Sequence, residues 1–218
     1  ECCGRIELRL TFYNDFKHGA SALGCPQSTA KLDVRIDQAW RDVWHHLGLP
    51  DRGPDGPVPV VIGHPSTWGR LRTAALARSV VQMGVSVELV PRAVLIARSL
   101  SDGTMQRCAV VETTHVPTVP HDPARPRAET WDVARLRRTA AGWQIEATDV
   151  LAPGADDIAA QTESIIDDSV EAVFVDGADP ADRARAREIV GAHVLAGRVV
   201  DVDRTLVRRY GWRIGRPL

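Results

Sequence analysis

No apolar run in this 218-residue chain approaches the roughly 18 residues that a membrane-crossing helix needs, and the opening ECCGRIELRL has no apolar core of signal-peptide type. No excess of one charge is present either: 27 basic and 28 acidic residues leave a net charge of −1. That balance gives no footing for a nucleic-acid stripe or an anionic membrane surface. Cysteine is scarce. Cys2, Cys3, Cys25 and Cys108 show no paired CxxC spacing, which argues against a structural zinc site and favours free thiols in a reducing cytosol. No G-x-S-x-G elbow and no dinucleotide fingerprint occurs, so a serine hydrolase lacks its nucleophile and an NAD enzyme lacks its phosphate turn. There is no repeat of solenoid period. What remains is a chain expected to be soluble and cytoplasmic, with 44% hydrophobic residues and length enough for one sizeable core or two small subdomains. It opens on Glu1 rather than Met, as a fragment or a processed form does.

The most legible stretch is Pro57–Ala97. Val58–Ile62 is a short continuous apolar strand, of the kind buried on both faces. His64-Pro65-Ser66-Thr67-Trp68 makes a turn, and Ser66 or Thr67 is placed to cap a helix running to about Met83. Gly84 ends that helix, Val85–Val90 returns as a strand, and Pro91 starts the next helix. Strand, helix, strand, helix is a crossover unit, which predicts an α/β fold. Upstream, Asp33–Leu49 carries apolar residues at helical spacing, whereas residues 1–31 show no sustained period beyond a candidate strand at Ile6–Phe12. We therefore expect a poorly defined segment 1–31 followed by one domain over 32–218.

Beyond the Ser101-Asp102-Gly103 turn the pattern changes. Cys108–Thr113 reads as a strand, residues 117–130 as a proline-rich loop, and Val133–Thr139 with Trp143–Val150 as a hairpin. A helix over Ala155–Asp168, a buried strand Ala172–Val175, a turn at Asp176–Pro180 and a helix to about Leu195 follow. A strand at Arg198–Val202 and a short helix at Arg204–Tyr210 close the chain.

This order, with the wording VVIGHPSTWGRLRTAALARSVVQMGVSVELVPRAVLIA, resembles the actin-like ATPase domain of seventy-kilodalton heat-shock chaperones over residues from about 33 to 215. The resemblance implies an actin-like (ribonuclease-H-like) α/β fold, with a mixed sheet, crossover helices and an added hairpin, incomplete at its N-terminus. It also implies ATP with magnesium as the ligand to consider. In that family a strand leads into an Asp-x-Gly-Gly-Gly-Thr phosphate loop, and the matching stretch here is Glu112-Thr113-Thr114-His115-Val116. Every glycine is gone, and with them the unobstructed backbone N–H groups that cradle phosphate. The family's adenosine loop corresponds to Val175–Pro180, which keeps one glycine. Weak nucleotide binding is thus assigned to Glu112, Thr113, Thr114, Asp176 and Gly177, with His64 and Trp68 as cleft residues, no catalytic residue and no metal ligand.

More narrowly, GHPSTWG, WDVARLRRTA…WQIEATDV and VVDVDRTLVRRYG are most similar to the degenerate N-terminal module of actinobacterial type VII secretion-associated proteins. That resemblance implies a regulatory or scaffolding module that works through protein partners, among them secretion components. The alternative is an active ATPase whose first phosphate loop lies upstream of Glu1. A third reading is an unrelated doubly wound enzyme using His64 and Asp176.

The simpler readings are favoured for single residues. His64 serves a turn, Asp176 opens a turn and caps the next helix, and the arginines at 135, 137 and 138 line a solvated face. The adjacent His45 and His46 point different ways on a helix and make no ligand pair. Burial is the default for most of the six tryptophans.

Overall fold

In the computed structural model, residues 58–82, 85–114, 130–177, 179–194 and 198–203 are described. The expected helix over 33–49, the segment 1–31 with its boundary, three of the four cysteines and the closing helix at 204–210 lie outside them. The chain divides into two compact units, one with 58–64 and 68–90, the other with 65–67, 91–114 and the described residues from 130 onward.

The first unit holds strand β1 (Val58–His64), helix α1 (Arg70–Gln82) and strand β2 (Val85–Pro91), with β1 and β2 paired in a two-stranded sheet. Ala75, Leu76 and Val80 of α1 are buried at i, i+1 and i+5, as is Ile62 of β1. These are the one-sided apolar positions of an amphipathic helix. The first turn of α1 is closed by Gly69, whose carbonyl accepts from Arg72 N and Thr73 N.

The second unit contains helix α2 (Arg92–Leu100), strands β3 (Arg107–Thr114), β4 (Thr130–Thr139) and β5 (Gly142–Leu151), helix α3 (Ile158–Ile165), strand β6 (Ala172–Gly177), helix α4 (Pro180–Gly191) and strand β7 (Val199–Asp201). The strands form one five-stranded sheet in the order β5-β4-β3-β6-β7. β3, β4 and β5 are an antiparallel meander, while β6 and β7 add in parallel on the other side of β3. The expected hairpin is therefore not an appendage: it supplies two strands of the main sheet. Its turn is Ala140-Ala141, and Gly142 takes φ of 106°, a left-handed geometry that a side chain resists.

Side-chain alternation divides the core. Ala109, Val111, Trp131, Val133, Val173 and Val175 face one side, where Ile165, Ala186 and Val190 of α3 and α4 cover them. Cys108, Val110, Ala134, Leu136, Ala172 and Phe174 face the other, under Ala93, Ile96 and Ala97 of α2. A sheet strand covered on both faces needs the uninterrupted apolar run that Cys108–Val111 and Ala172–Val175 supply.

Several boundaries differ from expectation for physical reasons. Pro91 ends β2 and stands at the N-cap of α2 rather than inside it. Helix α3 is shorter than 155–168: residues 155–157 are still in bend and turn conformation after Pro153 and Gly154, and Ile166 leaves the helix extended. Asp179, not Asp176, caps α4: its carboxylate accepts from Ala181 N at 2.8 Å, with Pro180 at the start of the helix.

Candidate functional site

The residues expected to form phosphate loops are in strands. β3 runs on through Glu112, Thr113 and Thr114, and β6 through Asp176 and Gly177. Glu112 pairs in register with Asp132 of β4 on one side and Asp176 of β6 on the other. In-register residues of adjacent strands share a face, so the three carboxylates form a row across the sheet, on the side covered by α2. All three are buried, Glu112 completely.

Burying carboxylates demands partners, because an uncompensated ion in a low-dielectric interior is strongly disfavoured. Arg92 supplies the charge. Its Nε and Nη2 both donate to Glu112 Oε2, the former at 2.7 Å, and its Nε lies 3.8 Å from Asp176 Oδ2. The other Glu112 oxygen accepts from Ser66 Oγ at 2.7 Å. Ser66 Oγ in turn accepts from Ala93 N at 3.0 Å, satisfying one of the free N–H groups in the first turn of α2. Ser66 or Thr67 was expected to cap α1; the Ser66 hydroxyl serves α2 instead.

Thr113 and Gly177 sit opposite one another one residue further along. Thr113 Oγ1 donates to Asp176 O at 3.3 Å. A Cβ built on Gly177 would collide with Thr113 Oγ1 and touch Arg183 Cγ at 3.0 Å. The glycine is thus demanded by close packing between strands. Its carbonyl accepts from Arg183 Nη1 at 2.7 Å. Thr114 ends β3 opposite Thr130.

His64 ends β1 and is buried, and Trp68 stands half-buried in the turn before α1; both belong to the first unit. Among the described residues no group of three or more His, Cys, Asp and Glu side chains is arranged to hold a metal ion.

A nucleotide phosphate does not fit these residues as they stand. Phosphate binding at such a position needs backbone N–H groups turned into a concavity. The backbones of Glu112 and Thr113 are instead paired on both sides within the sheet. The Glu112 carboxylate is taken by Arg92 and Ser66, and Gly177 has no room in front of it.

Sequence reasoning missed Arg92, Ser66 and Asp132. A signal existed for Asp132: Asp132, Ala134 and Leu136 alternate along β4, which puts a carboxylate at an inward position. Nothing local marks Arg92 as its neighbour's counter-ion, since 20 residues separate it from Glu112.

No family model and no curated protein matches the chain. Among solved structures it is similar to MreB5 of Spiroplasma citri bound to ADP, at 13% identity and a TM-score of 0.37, over 60% of this chain and 33% of that one. It is likewise similar to MreB 5 of the same organism bound to AMPPNP, at 18% identity and a TM-score of 0.38, over 59% and 36%. The matched part spans about a third of the length of these structures. No helix among the described residues is long and apolar enough to cross a membrane.

Proposed function

We propose that this chain is an actin-like module of the chaperone-ATPase type whose phosphate-binding position has become an internal ion network. On this reading it acts as a cytoplasmic regulatory or scaffolding part of a type VII secretion-associated protein, through protein contacts rather than ATP hydrolysis. The observation that carries it is Glu112. The residue standing where the resemblance puts a phosphate loop lies inside β3, fully buried and bound by Arg92 and Ser66. The loss of all loop glycines after Val111 supports the same reading. The secretion role is supported by the wording of GHPSTWG, of the hairpin strands and of VVDVDRTLVRRYG alone.

Thermal unfolding with and without Mg-ATP tests the proposal. A ligand that binds only the folded chain must raise its melting temperature. The expected result is no shift at millimolar nucleotide. A rise of several degrees overturns the pseudo-ATPase reading and favours the active-ATPase alternative. Recovery of a secretion component with the wild-type chain, lost on substitution of its exposed surface, tests the scaffold role.

A further inference from the structure

A second charged cluster lies on the sheet face opposite the Glu112 row, and nothing in the proposed function uses it. Arg107 of β3 and Arg137 of β4 are directly paired across the strands, and Arg135 follows two residues away on the same face. Like charges placed opposite one another in a sheet are mutually destabilising. One residue answers all three. Arg135 pairs with Ala147 and Leu136 with Ile145, so Glu146 is the extra residue of a β-bulge. Bulges re-aim side chains, and this one brings a single carboxylate to within 3.6 Å of Arg107 Nε, 3.7 Å of Arg135 Nε and 3.0 Å of Arg137 Nε.

Glu146 does not saturate what faces it. The three guanidinium groups donate one aligned hydrogen bond to a side chain among the described residues, from Arg135 Nη1 to Asp167 Oδ2 at 2.6 Å. Arg135 Nε is a buried donor without a hydrogen-bond partner. Asp167, the second carboxylate, divides its oxygens: Oδ1 accepts from Ser169 N and Oγ, and Oδ2 from Arg135. Arg107 and Arg137 remain 42% and 54% exposed, so their forks of donors are presented to solvent. Three arginines thus face two carboxylates, Glu146 and Asp167.

We infer that Arg107, Arg135 and Arg137 form a receiving site for side-chain carboxylates of an extended acidic segment on a protein partner, with Glu146 as its internal occupant when no partner is bound. The spacing favours this ligand. Arg135 and Arg137 are alternate residues of one strand, and an extended peptide presents alternate side chains at that same separation. A polyanionic nucleic acid is disfavoured by the absence of net positive charge on the chain. The site is separate from the Glu112 row, so it stands or falls independently of nucleotide binding.

Fluorescence anisotropy with a labelled Glu-Ser repeat octapeptide tests it on the full chain at low salt, with a Gln-Ser octapeptide as control. The Glu-Ser peptide is expected to bind and the Gln-Ser peptide not to. R107Q/R137Q should weaken binding about tenfold, R137Q alone about threefold, and R187Q, an arginine on α4, not at all. Removing the internal competitor with E146Q should tighten binding about threefold, which a purely structural Glu146 would not do. Thermal unfolding of each variant verifies that it is folded, and R137Q, at an exposed position, carries the test if E146Q is not. Equal binding of both peptides, no binding of either, indifference to R137Q, or displacement of the peptide by equimolar pyrophosphate would each overturn the inference.

Discussion

Arg92 and Glu112 form a two-pronged ion pair in the interior: Nε and Nη2 of the arginine both donate to one oxygen of the carboxylate. The geometry links the first turn of α2 to the middle strand of the sheet, and Ser66 closes the link from the other oxygen. Removing one partner of a buried pair leaves the other charge without compensation, which costs about 3–5 kcal/mol. R92M should therefore lower unfolding free energy by about that amount in urea titrations. Neutralising the orphaned carboxylate in R92M/E112Q should recover a large part of the loss. A double variant no more stable than R92M would show that the pair does not hold α2 to the sheet.

The contact of Gly177 with Thr113 predicts a second coupling. G177A should destabilise by about 1–3 kcal/mol, because its methyl group must displace a hydroxyl in a packed core. Adding T113A removes the obstructing Oγ1, and the two changes should then cost less together than their sum. Additive costs in a double-mutant cycle would mean that the glycine is needed for another reason.

Cys108 is fully buried, and that burial, aided by the nearby Glu171 charge, raises its thiol from 9.0 to about 12. The folded chain therefore holds this proton more tightly than the unfolded one. The resulting stability is complete below about pH 9 and is lost as pH rises from there towards 12. In a C2S/C3S/C25S chain, a thiol reagent at pH 8 should react with Cys108 only upon unfolding, since the thiolate is the reactive form. Rapid labelling of the folded chain would contradict this.

Asp167 is held below the ordinary carboxylate range, first by the Ser169 hydroxyl, then by Ser169 N, with smaller help from Arg135 and Arg107. A lowered value means that its stabilising effect is present above the unfolded value of 3.8 and fades as pH falls through the folded one. Carboxyl NMR titration should find its midpoint below 3.8, and S169A should move it upward. Asp102 should behave alike when the Thr104 hydroxyl is removed, because that hydrogen bond is its leading cause. A midpoint unchanged by S169A would refute the assignment.

The arginines at 135, 137 and 138 were expected on a solvated face, and the structure gives them separate tasks. Arg138 lies on the α2 side, donates to Gly103 O and Asp102 O, and stacks over Trp143 at 5.1 Å. Arg135 and Arg137 turn to the opposite face. Alternation along a strand makes such a split inevitable. Their convergence on Glu146, however, depends on a bulge that no local pattern signals.

What the residue pattern determined by itself was the order and type of the elements among the described residues. Apolar runs such as Val58–Ile62, Cys108–Val111 and Ala172–Val175 marked the strands, and Ala140-Ala141-Gly142 marked the hairpin turn, because hydrophobic period and turn chemistry act over a few residues. The missing glycines after Val111 were equally local. Tertiary structure alone decided the rest. Strand register set Asp132, Glu112 and Asp176 in one row, and packing of α2 on that face brought Arg92 to them from 20 residues away. Strand β6 also ran on through Asp176 and Gly177, past the point where a turn was expected to end it. Pairing with neighbours on both sides, together with a counter-ion for the buried charges, outweighed the local preference of Asp-Gly for a turn.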